Sequence, residues 1–460
     1  MNLTVLINFK AASYLFLLVV ISMVPTLSKA QDDLLRAYIQ HGLDSNLVVL
    51  EKNISMEKAL NGLAVARSYY LPQITADVMY THAEGGRSIN LPIGDLINPI
   101  YTTLNQLTNS QSFPQITNEQ INFLPKHYYD AKVRTSIPLL NTDIKHQKRI
   151  QEGMLILSQQ EVMRYKRELV KDIKIAYYNY LSAIELHEIY GNALELAKEG
   201  RRVNEKLLEA GKGLPAYVIR ANAEIAQHES KLVEAEQQIK NARSYFNMLL
   251  NRRADTEIKV APNPVERAEQ LADVSFSKIA EREEIQSLTK TIEIQETLVQ
   301  MSKQVYVPKL NAFLDVGAQS EGMRLHSRSP YVMVGAQLKF PIFEGNRNKL
   351  KIQEQLLTVA ESTNKLSQVQ QQLEFSEQMA KNELEAMHKN FKSTQIQVDA
   401  ASTYQRLIVR GFNEGVNTYL ETIDARTQLT QAKMSLNIAA YKLLAAQAKL
   451  EREQATFPIQ

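Results

Sequence analysis

Three pairs of matching landmarks divide this 460-residue sequence into two copies of one plan. Pro72 matches Pro308 within YLPQITADVMY and YVPKLNAFLDV, and Pro138 matches Pro341 within TSIPLLNTD and LKFPIFEGN. Further along, GLPAYVIRANA matches GVNTYLETIDA. Because repeated units share a fold and pack against each other, this repeat limits the possible architectures more than any local pattern does. It predicts structural repeats over 31–254 and 285–454, a linker over 255–284 and a C-terminal tail over 455–460.

Each repeat contains two stretches in which apolar and polar residues alternate. In YYDAKVRTSIP, which begins at Tyr128, the residues Ala131 and Val133 fall on one side and Lys132 and Arg134 on the other. A period of two predicts β-strands. The strands are expected at about 70–82, 128–137, 308–319 and 331–340. Their length suits tilted transmembrane strands, and tyrosines cluster at their ends, although a half-buried soluble sheet gives the same alternation.

Most of the remaining sequence has the pattern of long helices. From Asn141 to Gly211, apolar residues recur at coiled-coil spacing. A helix of about 70 residues is a rod of roughly 105 Å, at 1.5 Å per residue. A second rod is expected over about 346–410, and each rod returns from a glycine pair as a shorter helix. A helix over about 34–67 leads into the first strand. Stacked end to end, this helix and the returning helix would be about as long as one rod. Together with the four strands, these helices predict a fold class that is mostly α with β.

The N-terminus predicts export. Residues 1–30 have the pattern of a cleaved signal peptide, with Lys10 before the apolar run AASYLFLLVVISMV and SKA ending at Ala30. An uncleaved anchor is the alternative. Nothing later reaches 18 consecutive apolar residues, which argues against a helical membrane span. Without Lys10 and Lys29 the net charge falls from +3 to 3 − 2 = +1, so the composition indicates no nucleic-acid partner, and with no cysteine the chain has no disulfides.

Four strands are too few for a closed barrel. Closure needs about eight or more strands, and an open sheet edge in lipid leaves backbone groups unsatisfied. If the strands span a membrane, other copies of the chain must complete the sheet.

With its motifs in this order, the chain resembles the TolC-like outer membrane efflux protein family across essentially all of its mature length. The resemblance rests on LP at Leu71 and VP at Val307, on FPIFEGNRN, and on GVNTYLETIDARTQL. It implies a homotrimer in the outer membrane of a Gram-negative bacterium, with a barrel of about 12 strands and a periplasmic helical tunnel. It also implies a passive exit duct without cofactor or metal, working with a periplasmic adaptor (membrane fusion) protein and an inner-membrane transporter.

Under this resemblance, the apolar side of each strand faces lipid and the polar side lines a water-filled lumen. The predicted lumen residues are Asp77, Asp130, Lys132, Arg134, Asp315 and Lys339.

The family also has acidic residues one turn apart that ring the narrow periplasmic end of the tunnel, and Glu421 and Asp424 match them. Their i, i+3 spacing puts both carboxylates on one helix face, and three copies would form a ring that favours cations. Thr418 and Glu421 also fit a T-x-x-E capping box, which explains Glu421 but not Asp424.

The two turns between the long and returning helices are the expected adaptor contacts. The residues predicted there are Gly211, Gly213, Gly411, Phe412, Gly415 and Asn417. Well-known family members close this tip with a charged contact, but the matching positions here are Phe412, Asn417 and Ile219. That particular charged contact is therefore absent.

The first repeat carries an excess of 33 residues, because 66 residues separate Pro72 from Pro138 and only 33 separate Pro308 from Pro341. The excess lies in 85–127, a long loop expected at the cell exterior. It either caps the barrel mouth or is mobile and has no function.

Other functions are weakly supported by the sequence. The histidines are scattered, and the sequence has no H-E-x-x-H, G-x-S-x-G or P-loop motif, so an enzyme is not indicated. A soluble coiled-coil scaffold would explain the rods but neither the signal peptide nor the strands. The alternative function is an exported structural coiled-coil scaffold without channel activity. Within the channel interpretation, drug efflux, metal efflux and protein secretion all remain open.

Overall fold

The computed structural model describes residues 34–260, 282–322 and 326–459. The predicted signal peptide lies outside these ranges, as does most of the predicted linker. Long helices and one four-stranded sheet make up most of the described chain, which confirms the predicted fold class. The chain divides into two compact units. The helical unit comprises residues up to 60, 153–294 and from 358 onward, and the sheet unit comprises 61–152 and 295–357.

The elements follow the duplicated plan. The helices are α1 (34–45), α2 (Leu47–Ser68), α3 (Ile93–Thr108), α4 (Thr142–Glu209), α5 (Pro215–Leu249), α6 (Glu283–Lys303), α7 (Arg347–Asn413) and α8 (Tyr419–Glu453). The strands are β1 (Gln73–His82), β2 (Ser88–Leu91), β3 (Glu119–Asn122), β4 (His127–Leu140), β5 (Lys309–Glu321) and β6 (Pro330–Lys339). Among the described residues, no helix is both long and apolar enough to cross a membrane.

The four long strands form one antiparallel sheet in the order β1-β4-β5-β6, so the two repeats join where β4 pairs with β5. Residues paired across antiparallel strands point to the same face, and the register places Asp77 opposite Lys132 and Arg134 opposite Asp315. A register shift between Pro138 and Leu140 marks a bulge, as expected where proline lacks the N–H that a ladder needs.

This register gives the sheet one polar and one apolar face. The polar face carries Gln73, Thr75, Asp77, Asp130, Lys132, Arg134, Ser136, Asn311, Asp315, Gln319, Gln337 and Lys339. The apolar face carries Ile74, Val78, Ala131, Val133, Ile137, Leu310, Leu314, Val316, Val332, Val334 and Leu338. Within the described part of the chain, no further strand pairs with the outer edges of β1 and β6.

The core of the helical unit lies where α1, α4 and α5 meet. Tyr177 and Phe246 are fully buried there, and Tyr38 contacts Phe246 edge to face at a centroid distance of 5.1 Å. Gly42 permits this packing, because a Cβ at that position would lie 2.4 Å from Cδ1 of Ile173. Burial of such aromatic rings is the main force that holds these helices together.

In each repeat the returning helix meets, end to end, the helix that leads to the first strand. The Asn46 side chain accepts hydrogen bonds from the backbone N–H groups of Val48 and Val49 at the start of α2, and it donates one to the Leu249 carbonyl at 2.8 Å. Arg282, just before α6, donates to the backbone carbonyl and side chain of Glu453 at the end of α8. Each contact satisfies carbonyls that a helix end leaves free.

Two elements differ from the sequence prediction. The helix expected over about 34–67 is interrupted at Asn46 and forms α1 and α2. The segment between β1 and β4 is not an unstructured loop, because it contains α3 and a short β2-β3 ladder.

Candidate functional site: the polar sheet face and the helix turns

The six residues predicted for the lumen lie on the polar face of the sheet. Arg134 donates two hydrogen bonds to the Asp315 carboxylate, at 2.7 and 2.6 Å, and Asp315 is fully buried. The planar fork of arginine matches a carboxylate in this two-bond arrangement. Tyr331 donates to Asp130 at 2.9 Å, and Lys132 contacts the same carboxylate at 3.3 Å.

Two aromatic residues of this face, Phe313 and Tyr331, were not among the residues predicted for the lumen. Tyr331 holds Asp130, and the Phe313 ring lies 4.8 Å from the Arg134 guanidinium carbon, in a cation–π arrangement. Their places in the alternation were visible in the sequence, but their partners depend on the β4-β5-β6 order. Near the helical end of the strands, a cavity of about 730 Å³ is lined by Gln73, Ser136, Asn311 and Gln337, among others.

The long helices α4 and α7 end in the same way, at the first turn (between α4 and α5) and at the second turn (between α7 and α8). Gly211 and Gly415 have φ of 70° and 79°, the left-handed conformation that glycine adopts without strain. In the first turn, the Lys212 N–H bonds to the Leu207 carbonyl, and in the second the Val416 N–H bonds to the Gly411 carbonyl. Both patterns are Schellman motifs.

The capping box predicted for the second turn is present. The Thr418 hydroxyl accepts a hydrogen bond from the Glu421 N–H at 3.4 Å, and the Thr418 N–H donates to the Glu421 carboxylate at 2.6 Å. Asn417 donates to the same carboxylate at 3.2 Å. The backbone N–H of Thr418, followed by the side chains of Asn417 and Thr418, lowers the pKa of Glu421.

Asp424 has no part in this cap. Its carboxylate is exposed and accepts a hydrogen bond from Gln428, one turn further along α8, at 2.8 Å. Glu421, Asp424 and Gln428 follow one face of the helix, while Ile423 and Ala425 are buried on the other. The structure therefore places the two predicted carboxylates together on a solvent-facing side of α8.

A charged contact joins α8 to α4 and α5, at a position other than the one that the family resemblance implies. Arg426 on α8 donates to the Leu196 carbonyl of α4 at 2.7 Å, and it contacts Glu224 of α5 at 3.4 Å. The side chains of Arg426 and Glu224 are only 11% and 8% exposed. Gly200 leaves room for this arginine, since a Cβ there would lie 2.8 Å from Nη1.

The three positions that match the family's contact have other roles here. Ile219 is 70% exposed, whereas Phe412 packs against Tyr419 at a centroid distance of 6.2 Å. Tyr419 also contacts Tyr217 of the first turn at 5.6 Å, and its hydroxyl lies 3.4 Å from Arg426. The turns are thus held together by aromatic packing, and Arg426 joins α8 to α4 and α5. Arg426 was not predicted from the sequence because these partners are distant along the chain.

The comparisons with known proteins agree with this architecture. Residues 277–453 match the family described as Outer membrane efflux protein. No curated protein sequence matches the chain. The resemblance to the TolC-like outer membrane efflux protein family is confirmed by this family match. Beyond the matched residues, the likeness to solved structures is one of fold.

Three solved structures illustrate this similarity. The outer membrane channel CmeC of Campylobacter jejuni is 14% identical with a TM-score of 0.71, and the match covers 91% of this chain and 85% of CmeC. VceC of Vibrio cholerae is 14% identical with a TM-score of 0.70, covering 91% and 95%. The open state of the Neisseria gonorrhoeae MtrE channel is 15% identical with a TM-score of 0.72, covering 92% and 88%. At these identities the likeness establishes the fold.

Proposed function

We propose that this chain is the outer membrane component of a tripartite efflux or secretion system, a passive exit duct for substrates driven by an inner-membrane transporter. The observation that carries the proposal is the two-faced sheet, which is apolar on one side and charged on the other. Such a sheet suits a wall between lipid and a water-filled lumen. Its polar face carries Asp130 and Arg134, which are charged groups of the kind that line water-filled lumens.

The free edges of the sheet support a homotrimer. An unpaired strand edge in lipid leaves backbone groups without partners, so the outer edges of β1 and β6 must be covered. Pairing β1 of one copy with β6 of the next satisfies both edges at once. Three copies would close a barrel of about 12 strands, within the range that membrane barrels adopt.

The helix turns are the proposed periplasmic end of the duct. Three copies of Asp424, with Glu421 one turn away, would put carboxylates around a narrow opening and favour cations. The turns at Gly211, Gly213, Gly411 and Gly415, with Phe412 and Asn417, would contact the adaptor protein. In this arrangement the helical unit lies in the periplasm and the sheet in the outer membrane of a Gram-negative cell.

Purified protein in a planar bilayer tests the duct. We expect discrete single-channel openings, together with a particle of three times the chain mass in detergent. A folded protein that gives no conductance would overturn the proposal and favour the exported coiled-coil scaffold.

A further inference from the structure

The segment between β1 and β4 folds into a small ordered layer. Asn98 and Asn105 lie seven residues apart on one side of α3, and each makes two hydrogen bonds to the backbone of a single residue. Asn98 pairs in this way with Ile116, and Asn105 with Phe113. These bonds hold the chain that follows α3 against that side of the helix, so the polar groups of this side already have partners.

Close backbone contact supports the same arrangement. A Cβ on Gly94 would lie 2.4 Å from the Ile116 carbonyl oxygen, so only glycine allows the two stretches of chain to come this near. The helix ends at Asn109, which is in the left-handed conformation at φ 49°. Tyr101 and Phe113 pack together at a centroid distance of 5.6 Å.

The opposite side of α3 is exposed and mostly apolar, with Thr103 among the apolar side chains. Leu96, Ile100 and Leu107 follow one stripe at spacings of four and seven residues, and they are 68%, 58% and 78% exposed. The only charged residue of the helix is Asp95, which lies off this stripe and bonds to Asn118. Covering the apolar side would stabilise this helix, because removing apolar surface from water is favourable.

Charge argues against the lipid headgroup layer as the cover. Helices that lie on a membrane carry Lys and Arg on the polar face to contact anionic headgroups, and α3 has none. The charged residues of the whole segment 83–126 are Glu84, Arg87, Asp95, Glu119 and Lys126, an acidic excess of 3 − 2 = 1. Such a surface suits another uncharged apolar surface.

The place of the segment in the sheet indicates which surface that is. It connects β1 to β4, and β1 is an edge strand whose outer side must be paired by a neighbouring copy in the proposed barrel. About 12 strands spaced 4.8 Å apart and tilted by about 40° enclose a mouth roughly 24 Å across. A helix of 16 residues is about 24 Å long. If one such helix from each of three copies extends over a mouth of this width, the three helices touch one another.

We infer that the apolar stripe of α3 packs against the α3 segment of neighbouring copies, forming a cover over the outer mouth of the channel. This inference rests on the proposed trimeric channel. The occupant of the stripe is a second copy of this chain, and Leu96, Ile100 and Leu107 form the contact.

Crosslinking tests the contact directly, because the natural chain has no cysteine. The variant Leu96→Cys, Leu107→Cys places two thiols on the stripe about 16 Å apart, 11 residues at roughly 1.5 Å each. The variant Asp95→Cys, Gln106→Cys is the matched control, with the same spacing on another side of the helix. Intact cells that express each variant are treated with a bis-maleimide too short to join both thiols within one helix.

The stripe variant is expected to give bands at two and three times the chain mass, and the control to give single chains. Conductance and particle mass, measured in parallel on the unmodified protein, separate this inference from the proposed function. A conducting trimer without crosslinks overturns the inference. Labelling of the stripe thiols by a lipid-soluble maleimide alone would place the stripe in lipid and also overturn it. If neither trimer nor conductance is found, the proposed function fails and the inference fails with it.

Discussion

The two helix turns end their long helices alike and begin their returning helices differently. Each long helix ends in a Schellman motif with glycine at the left-handed position, Gly211 in the first turn and Gly415 in the second. After the first turn, α5 begins at Pro215, and the preceding residue, Leu214, makes no side-chain hydrogen bond to cap the helix. In the second, α8 begins with a complete capping box at Thr418 and Glu421.

This difference separates two carboxylates that the sequence pattern groups together. Glu421 is accounted for by its local task, because its carboxylate accepts hydrogen bonds from Asn417 and Thr418. Asp424 has no such task, and its carboxylate accepts a hydrogen bond from the exposed side of the same helix, at Gln428. If the second turn carries an ion-selective ring, we expect Asp424 to contribute more to it than Glu421.

The largest expected effect concerns Arg426, which joins α8 to α4 and α5. Arg426→Ala would leave Glu224 buried beside the first turn without its cation, which typically costs about 3–5 kcal/mol. Hydrogen exchange should accelerate in both returning helices near the turns. The double variant Arg426→Gln, Glu224→Gln is the control, because it removes both charges and should lose less stability. Unchanged exchange in Arg426→Ala would show that the turns are held without this contact.

The next effect should be equal in the two turns. Gly211→Ala and Gly415→Ala each force an L-residue into the left-handed region, at a cost of about 1–2 kcal/mol. Beyond the adjoining residues, no atom lies within 4 Å of the methyl group that alanine would add at either position, so backbone strain is the source of the cost. Thermal unfolding of the purified variants measures it. A cost confined to one turn would contradict the common ending of the two helices.

A smaller effect should distinguish the turns. Thr418→Ala removes the cap of α8 and should destabilise the N-terminal end of this helix by about 1 kcal/mol. Leu214→Ala is the matched change at the start of α5 and removes no cap. Hydrogen exchange of the backbone amides at the N-terminal ends of α5 and α8 measures the difference. Equal protection in both variants would mean that the capping box contributes nothing.

The cap should also respond to pH. The pKa of Glu421 is lowered from its ordinary value of 4.5, first by the Thr418 backbone N–H, so the carboxylate is favoured in the folded turn. Its stabilising contribution is therefore present above the ordinary pKa and is lost as the pH falls through the lowered one. Amide protection at the start of α8 should decrease below about pH 4.5, whereas α5 should show no such step. Glu421→Gln should abolish the step, and its persistence in that variant would assign it to another group.

Local periodicity was sufficient to predict the strands, their two faces and the long helices. Lys132 and Val133 fall on opposite faces because strand side chains alternate, and this holds whatever the strand pairs with. The turn glycines were predictable for a similar reason, since Gly211 and Gly415 end their helices through hydrogen bonds between residues that are close in sequence.

Contacts between distant residues could not be predicted in this way. Arg426 and Glu224 are 202 residues apart, and nothing in the sequence around either residue indicates the other. The α3 layer was missed because Asn, Gln and Thr usually indicate a loop, whereas Asn98 and Asn105 bind backbone groups across the segment. At Asn46, the side chain caps α2 locally through Val48 and Val49, but its bond to the Leu249 carbonyl exists only once the helices are packed.

Ion selectivity of single channels tests the central claim most directly, namely that the chain forms a pore whose narrow end carries Asp424. Reversal potentials in a salt gradient would be compared for the wild type, Asp424→Asn and Glu421→Gln. Glu414→Gln, in the turn between α7 and α8, is the control. The account predicts a cation-selective wild type, a marked loss of selectivity in Asp424→Asn and a smaller loss in Glu421→Gln. Unchanged selectivity in Asp424→Asn, or a loss no larger than in Glu414→Gln, would contradict it.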